Sequence, residues 1–234
     1  MATKTTGGGS GADTASAPAA DPAGPVGDWR EFAPLDLHPV LAAALAEFRE
    51  HGYHGTSVRD VARRAGITVP TIYYHFANKQ GLLVALLEGA VGEVLQRARL
   101  ADAEAGGRVL ERFSNVVECV VLHMTHRVAT AGLDCELRYL EPANRRKYAA
   151  LRKELEDLLR EIVEEGVAQG LFEVDRAPDT TRALLGMCQA VTGWYHEGGP
   201  LPPAEIADRY AAIALRTVGA RVRPAPRART ARAV

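Results

Sequence analysis

The chain has 234 residues, and its 28 Lys and Arg against 29 Asp and Glu leave a net charge of −1, so contact with nucleic acid can show only as a local excess of basic residues. Three cysteines without a CxxC pair argue against a disulfide framework and favour a reducing cytoplasm. A membrane partner is not expected, because the chain has no run of about eighteen apolar residues.

Residues 1–28 are predicted to form a disordered tail. The first 27 residues are dominated by Ala, Gly, Ser, Thr and Pro and contain no aromatic residue. A tract of this composition buries too little apolar surface to offset the entropy cost of ordering. The stretch also lacks the basic and apolar regions of a signal peptide. Ordered structure is therefore expected to begin near residue 29.

A helix-turn-helix domain is predicted at residues 29–80, and it opens with a supporting helix. Apolar residues recur at helical spacing over residues 37–51, and Gly52 supplies a stop. The wider stretch of residues 47–79 holds five Lys and Arg against three Asp and Glu. This modest local excess of positive charge is compatible with DNA binding at this end of the chain.

The next two helices can be placed from their caps. Ser57 and Asp60, three residues apart, form a capping box that begins a second helix, and Gly66 supplies the turn that ends it. Thr68 is the predicted N-cap of a third helix. Helix-turn-helix geometry places such a third helix in the major groove of DNA.

The third helix has a buried side and an outward side. Ile72 and Phe76 are four residues apart and are predicted to pack on the second helix. The side chains predicted to face outward are Val69, Pro70, Thr71, Tyr73, Tyr74 and His75. They offer hydrogen-bonding groups for base edges and phosphates, and apolar groups for thymine methyls. The sequence therefore predicts specific DNA binding, with an ordinary helical hairpin as the alternative.

The run GITVPTIYYHFANKQGLL lies within residues 40–87, and this stretch resembles the DNA-binding domain of the TetR family of transcriptional repressors. The resemblance implies that Thr56 and Ser57 contact phosphates and that Lys79 anchors the DNA backbone. It also implies a reading surface made of Thr68, Val69, Pro70, Thr71, Tyr73, Tyr74 and His75. Val69 makes this surface slightly hydrophobic, which leaves the preferred base sequence open.

Residues 81–219 are predicted to be helical throughout, so the fold is expected to be all-α. Nothing alternates with the period of two that strands require, and helices are predicted at residues 82–99, 108–126, 133–140, 144–169, 179–195 and 203–218. In the resembled family this region is the larger, ligand-binding and dimerisation domain. The last two predicted helices have wide apolar faces, which agree with a homodimer that reads a near-palindromic double-stranded DNA operator.

The helix predicted at residues 108–126 carries polar groups on an otherwise apolar element. Asn115, Cys119 and His123 are predicted to line an organic-ligand pocket, and a core helix with satisfied histidines is the alternative. A metal sensor is a further alternative, because Cys119, His123 and His126 lie at i, i+4 and i+7 on one face.

A second candidate for effector binding lies near the C-terminus. Trp194 and Tyr195 end one helix and precede a loop rich in Gly and Pro. This stretch is similar to the end of TetR-family members that sense acyl-CoA thioesters, in which such aromatic residues lie close to the ligand. The resemblance implies an acyl-CoA or another small hydrophobic effector, whereas interface or core packing is the alternative role.

These patterns predict a ligand-responsive repressor whose effector moves the helix at residues 82–99 and thereby releases the operator. No catalytic residue, metal or cofactor is predicted, since the chain has no Gly-rich phosphate loop, nucleophile elbow or HExxH motif. A helical enzyme without a recognised motif and a protein-interaction module remain as alternatives. Residues 220–234 hold five Arg and no acid, which predicts a disordered basic tail, with extra attraction to DNA phosphate as the alternative.

Overall fold

The computed structural model describes residues 26–220, and this part of the chain is all-α with no β-strand, as predicted. The α-helices are α1 (Pro39–Gly55), α2 (Val58–Ala65), α3 (Val69–His75), α4 (Lys79–Glu104), α5 (Val109–His126), α6 (Val128–Ala131), α7 (Pro142–Ala168), α8 (Ala177–Gln189) and α9 (Pro203–Thr217). Two 3-10 helices cover Gly132–Tyr139 and Ala190–Gly193, and the first replaces the α-helix predicted at residues 133–140. Most of both predicted tails, residues 1–25 and 221–234, lies outside the described residues.

Two hydrophobic cores organise the described residues, and α4 belongs to both. The smaller core joins α1, α2 and α3 to the first half of α4, and it buries Leu41, Ile72 and Leu82 almost completely. The larger core joins the second half of α4 to α5, α7, α8 and α9 around Phe113 and Ile162. Because one continuous helix enters both cores, a shift of α4 is felt in both halves of the molecule.

Two of the predicted helices have other limits in the structure. α1 does not end at residue 51, but kinks at Gly52, where φ is +70°, and continues to Gly55. A glycine tolerates this left-handed conformation without a steric penalty, so the helix can resume beyond it. α4 is longer at both ends than the predicted 82–99, because the Asn78 side chain caps its first turn and apolar residues continue into its last turns.

Residues 28–33 form a non-helical segment across the larger core, which we call the N-terminal strap. Trp29 is 2% exposed, and its indole N–H donates to Glu104 of α4. The ring of Phe32 stacks on His126 of α5, with 4.5 Å between centroids. The predicted domain boundary at residue 29 places these residues with the DNA-binding helices. The structure instead attaches them to the larger core, because that core is where their rings are buried.

A buried charge cluster fastens the strap. Arg97 of α4 donates to the backbone oxygen of Glu31 at 2.8 Å, and Arg127, just after α5, donates to that of Ala33 at 3.1 Å. The Glu93 carboxylate accepts hydrogen bonds from both guanidinium groups, at 3.1 and 2.9 Å. Burial by itself raises the pKa of Glu93, but the hydrogen bond and charge of Arg127 hold that pKa below its usual value. The strap is therefore fixed to α4 and α5 before the chain enters α1.

Gly166 of α7 is expected to be irreplaceable for a packing reason. A Cβ at this position would overlap the ring of Phe172, which is buried against Phe113. Gly166→Ala is therefore expected to lower the free energy of unfolding by about 1–3 kcal/mol through overpacking. Chemical denaturation monitored by circular dichroism measures this loss.

Gly92 provides the matched control, because it lies in the middle of α4 and a Cβ there would meet no atom within 4 Å. Gly92→Ala is expected to raise the free energy of unfolding by about 0.5–1 kcal/mol, since alanine favours helix interiors. Equal effects of the two substitutions would contradict the packing argument.

Candidate DNA-binding surface and effector cavity

The cap and turn that build the helix pair are those predicted from the sequence. The Ser57 hydroxyl accepts a hydrogen bond from the backbone N–H of Asp60, and the Asp60 carboxylate accepts one from the backbone N–H of Ser57 at 3.0 Å. The Ser57 hydroxyl also donates to the Asp60 carboxylate, and this bond together with that from the Ser57 backbone N–H lowers the pKa of Asp60 to about 2. Gly66 ends α2 in the left-handed conformation, with φ of +67°. The geometry of the turn is therefore encoded locally.

α3 presents the predicted reading surface to solvent. Ile72 is fully buried, whereas Tyr73 is 51% exposed and Tyr74 is 77% exposed. The other members of the surface are exposed at Thr68, Pro70 and Thr71 and half-buried at Val69 and His75. Exposed rings of this size on a short helix are unfavourable in water and are typical of a binding surface.

The structure does not offer the Thr56 side chain for the predicted phosphate contact. Thr56 is 3% exposed, and its hydroxyl donates to the backbone oxygens of Glu47 and Gly52 at 3.1 and 2.9 Å. The kink of α1 turns these two carbonyl groups toward the hydroxyl, so the side chain seals the end of α1. The neighbouring Ser57 is exposed, as a phosphate contact requires.

A cavity of about 840 Å³ lies beside α4, in the larger half of the molecule. Its volume is in the range of small-molecule sites. The apolar wall comes from α4 and α5 and consists of Leu87, Ala90, Val91, Val94, Val120 and Met124. The opposite wall comes mainly from α7, α8 and the 3-10 helix before α7. It contributes a set of largely exposed basic side chains, Arg138, Arg145, Arg152, Lys153 and Arg182. The cavity therefore has an apolar side and a basic rim.

Two cations of the basic rim have no carboxylate partner among residues 26–220. Arg145 donates to the backbone oxygens of Arg138 and Leu140, at 2.9 and 3.1 Å. The guanidinium group of Arg138 lies over the ring of Tyr139, 4.9 Å from its centroid. A pair of unneutralised guanidinium groups at a cavity rim attracts anions.

Comparisons with known proteins place the chain in one family. Residues 40–86 match the family model described as bacterial regulatory proteins of the tetR family, and residues 106–218 match the tetracyclin repressor-like C-terminal domain. NicS of Pseudomonas putida, an HTH-type transcriptional repressor, is 32% identical over 74% of this chain and 82% of its own length. The chain belongs to the TetR family.

Two further relatives support the assignment. KstR2 of Mycobacterium tuberculosis, an HTH-type transcriptional repressor, is 29% identical over 75% of this chain and 89% of its own length. Its solved structure superposes with a TM-score of 0.68 over 76% of this chain and 92% of that chain. AibR, solved with isovaleryl coenzyme A and operator DNA, shares the fold at 23% identity with a TM-score of 0.66, over 74% of this chain and 95% of its own. This TetR-family protein is a DNA-binding, ligand-responsive transcriptional regulator, as predicted.

Of the five residues predicted to bind the effector of this TetR-family protein, only His123 lines the cavity. Asn115 donates to the backbone oxygen of Ala101 at 3.1 Å, and Cys119 is fully buried in the larger core. Trp194 is 49% exposed, and Tyr195 packs at the edge of the larger core. These four side chains do not line the cavity, because α5 turns Asn115 and Cys119 away and residues 194–195 follow α8 at the surface, so their contact with an effector stays a prediction.

Sequence reasoning missed the polar residues that close the cavity wall. The Asp134 carboxylate accepts hydrogen bonds from the Tyr148 hydroxyl and from the Gln189 side chain, the latter at 2.7 Å. Arg152 of α7 donates to the Gln189 amide oxygen at 2.8 Å. The network joins α7, α8 and the 3-10 helix before α7. The run of basic residues in α7 was the signal in the sequence for this wall. It did not identify the partners of these residues, because the hydrogen bonds of the network join residues up to 55 positions apart.

The metal-sensing alternative is not supported. Within residues 26–220, no group of three His, Cys, Asp or Glu side chains is arranged to hold a metal ion. His126 stacks on Phe32 in the strap.

Burial lowers the pKa of His123 to about 4, so its imidazole is neutral near pH 7. Its Nδ1 has no hydrogen-bond partner among the described residues, and leaving such a group unpaired costs about 1–3 kcal/mol.

The described helices also include none that is both long and apolar enough to cross a membrane. The relatives named above are transcriptional regulators.

Lys79 has a structural role that its predicted contact with phosphate did not include. Its ammonium group donates to the backbone oxygens of Tyr53 and Thr56 at 2.7 and 2.8 Å, and it lies over the Tyr53 ring. Lys79→Met is expected to lower the free energy of unfolding by about 1–2 kcal/mol, because two charge-assisted hydrogen bonds are lost. Thermal denaturation of the variant measures this effect.

Lys153→Met is the matched control, since Lys153 pairs with Asp157 on the exposed surface of α7 and is expected to contribute less than about 1 kcal/mol. The phosphate contact of Lys79 stays a prediction with its own readout. If Lys79 contacts a phosphate, Lys79→Met is expected to reduce the slope of log DNA affinity against log salt concentration by about one. An unchanged slope with reduced stability would leave Lys79 with the structural role alone.

Proposed function

We propose that this TetR-family protein is a homodimeric repressor, released from a near-palindromic operator by a CoA thioester or another effector with an anionic head and an apolar chain. The observation that carries the effector class is the cavity, which joins an apolar wall to a basic rim. The apolar wall suits an acyl chain. Arg138 and Arg145 suit phosphate, because guanidinium groups bind pairs of phosphate oxygens.

The relatives support the same effector class. KstR2 is named a ketosteroid transcriptional regulator, and AibR was solved with isovaleryl coenzyme A and operator DNA. AibR resembles this chain at the level of the fold alone. Its complex nevertheless demonstrates that a helical body of this architecture can accommodate a CoA thioester.

The proposed DNA contacts are those of the exposed side of α3 and the start of α2. Thr68, Val69, Pro70, Thr71, Tyr73, Tyr74 and His75 read the major groove, and Ser57 and Lys79 contact phosphate. The exposure of Tyr73 and Tyr74 supports this assignment. The hydroxyls of Thr68 and Thr71 lie 2.9 Å apart, so they present one shared hydrogen-bonding point at the start of the helix.

The proposed dimer interface lies on α8, α9 and the turn after α8. Ile213 is 37% exposed and Trp194 is 49% exposed, and the Trp194 ring lies 6.4 Å from that of Tyr210. Other residues on the apolar faces of these helices, such as Leu184 and Ala214, are already covered by the chain's own core. The interface is therefore proposed to be narrower than the apolar pattern of the two helices suggested.

The proposed release mechanism runs through α4. Leu87 and Val91 belong to the core that holds the DNA-binding helices, and both also line the cavity. An effector that binds more tightly when α4 is displaced than when α4 has its DNA-bound position favours the displaced state. This displacement changes the spacing of the two α3 helices in the dimer. A hundredfold loss of operator affinity requires a coupling free energy of about 2.7 kcal/mol.

Fluorescence anisotropy with the DNA upstream of the protein's own gene tests the proposal. The expected result is binding tighter than to random duplex, with release by octanoyl-CoA but not by CoA alone. The double change Arg138→Gln and Arg145→Gln is expected to weaken the binding of octanoyl-CoA. Arg176→Gln is the control, because Arg176 is exposed and lies away from the cavity.

Two results would overturn the repressor assignment and the effector class separately. Binding to no duplex more tightly than to random DNA would reject the repressor. A thermal-shift screen without stabilisation by any acyl-CoA, together with DNA release by an unrelated compound, would reject the effector class.

A further inference from the structure

His123 is the polar exception on the apolar side of the cavity. It lies on α5 between Val120 and Met124, which line the same wall at positions i−3 and i+1. The side chain is 1% exposed, and its Nδ1 has no hydrogen-bond partner among residues 26–220. Buried polar groups in folded proteins nearly always have a partner, so this one calls for an explanation.

The surroundings of His123 define what that partner can be. A neutral imidazole carries one N–H donor and one lone-pair acceptor, so it can pair with a neutral oxygen. Among the charged groups that influence its protonation, the Glu93 carboxylate is hydrogen-bonded to the guanidinium groups of Arg97 and Arg127, so these charges are paired with one another and do not call for an ionic ligand group. The nearest ring, Phe32, lies 6.4 Å away and offers no hydrogen-bonding atom. A neutral ketone or hydroxyl on the ligand meets these conditions.

We propose that His123 is a specificity-determining residue that recognises a ketone or hydroxyl oxygen on the apolar part of the effector. The inference rests on the proposed function, since it places the acyl portion against α4 and α5 and the anionic head at the basic rim. The effector class is then an oxidised acyl thioester, with an oxo or hydroxy group on its chain or ring, and not a plain saturated one. A hydrocarbon chain would leave the imidazole unpaired in an apolar wall.

Isothermal titration calorimetry on the full chain tests the proposal with octanoyl-CoA and its mono-oxo derivatives, with the ketone near the thioester or near the chain end. The wild-type protein is expected to bind at least one oxo derivative about tenfold more tightly than octanoyl-CoA. His123→Leu is expected to abolish this preference. His123→Gln, which keeps a donor and an acceptor, is expected to retain it.

Met124→Leu is the control on the same wall, and it is expected to change the affinities for both ligands by the same factor, since it alters only apolar contacts. Circular dichroism of each variant establishes that it is folded. If His123→Leu does not fold, His123→Gln and His123→Met are compared instead. The role of His123 then requires that His123→Gln retains the preference for the oxo derivative and that His123→Met loses it.

The results separate this inference from the proposed function. Equal wild-type affinity for all the thioesters, or a preference that survives in His123→Leu, would overturn the role of His123 and leave the effector class intact. Binding of no thioester would reject the effector class. In that case octanoic acid and its chain-end oxo derivative test His123 alone, and failure of both acids to bind would overturn this inference as well.

Discussion

Tyr73→Ala is expected to weaken operator binding by roughly 10- to 100-fold while leaving the fold unchanged. Tyr73 is 51% exposed at the centre of α3, and its side chain makes no hydrogen bond or ring contact within residues 26–220. Removing the ring therefore costs the free protein little, whereas a good contact with DNA contributes about 1–3 kcal/mol. Fluorescence anisotropy on operator and random duplexes, over a range of salt concentrations, measures the loss.

Two companion variants separate the parts of this contact. Tyr73→Phe removes only the hydroxyl, so a loss of similar size assigns the contact to a phosphate or base hydrogen bond. Thr71→Ala is expected to weaken specific binding more than non-specific binding, because a base-edge contact carries sequence information. Arg176→Ala, on the exposed surface at the start of α8, is expected to change neither affinity.

The outcome that would contradict this account is a coupled loss. If Tyr73→Ala reduces operator binding, effector binding and dimer formation to the same extent, the substitution unfolds the protein. If it leaves operator binding unchanged, the exposed face of α3 is not the reading surface.

Glu93→Ala is expected to have the largest effect on stability, lowering the free energy of unfolding by about 3–5 kcal/mol. The substitution leaves the guanidinium groups of Arg97 and Arg127 buried without their carboxylate, and removing one partner of a buried ion pair has a cost of this size. For a chain of this length the melting temperature is expected to fall by about 10 °C. Differential scanning calorimetry measures both quantities.

Glu154→Ala is the matched control for Glu93→Ala. Glu154 pairs with Arg99 of the same helix α4 at 2.7 Å, but both side chains are about half exposed or more. An exposed pair contributes less than about 1 kcal/mol, so the melting temperature is expected to move by no more than a few degrees. A similar fall in both variants would show that burial of the Glu93 cluster does not determine its contribution.

The Glu93 cluster also fixes the N-terminal strap, which connects the larger core to the DNA-binding helices. Arg97 and Arg127 bind backbone oxygens in residues 28–33, and the chain enters α1 six residues later. The DNA-binding helices are thus joined to the larger core on two sides, through α4 and through the strap. In the proposed release mechanism, a displacement of α4 by the effector therefore acts against a second attachment.

Much of the DNA-binding half was predictable because its determinants are local. Ser57 and Asp60 are three residues apart, and their capping box needs no partner from elsewhere in the chain. The turn at Gly66 depends on one residue's freedom to adopt positive φ. The spacing of Ile72 within α3 was enough to separate the buried side of that helix from the exposed tyrosines.

The burial of Thr56 and the multiple contacts of Lys79 were not predictable in the same way. Both side chains bind backbone oxygens near the end of α1, and those oxygens become available only where α1 kinks and packs beside α4. The resemblance to a family motif assigned both residues to phosphate, because a motif records residue identity and not which way a side chain is turned. Packing decided that Thr56 faces inward.

The sequence alone determined the all-α fold and the helix-turn-helix, because periodicity, caps and a glycine turn act within a few residues of one another, and its resemblance to a family motif indicated the family. The cavity, its basic rim and the strap were decided only by the tertiary structure. The cavity lining brings His123 together with α4 residues about thirty positions earlier and α8 residues about sixty positions later, and Arg97 reaches Glu31 across 66 positions. Contacts of this kind have no periodic signature, since they depend on how whole helices pack and not on the spacing of residues along one helix.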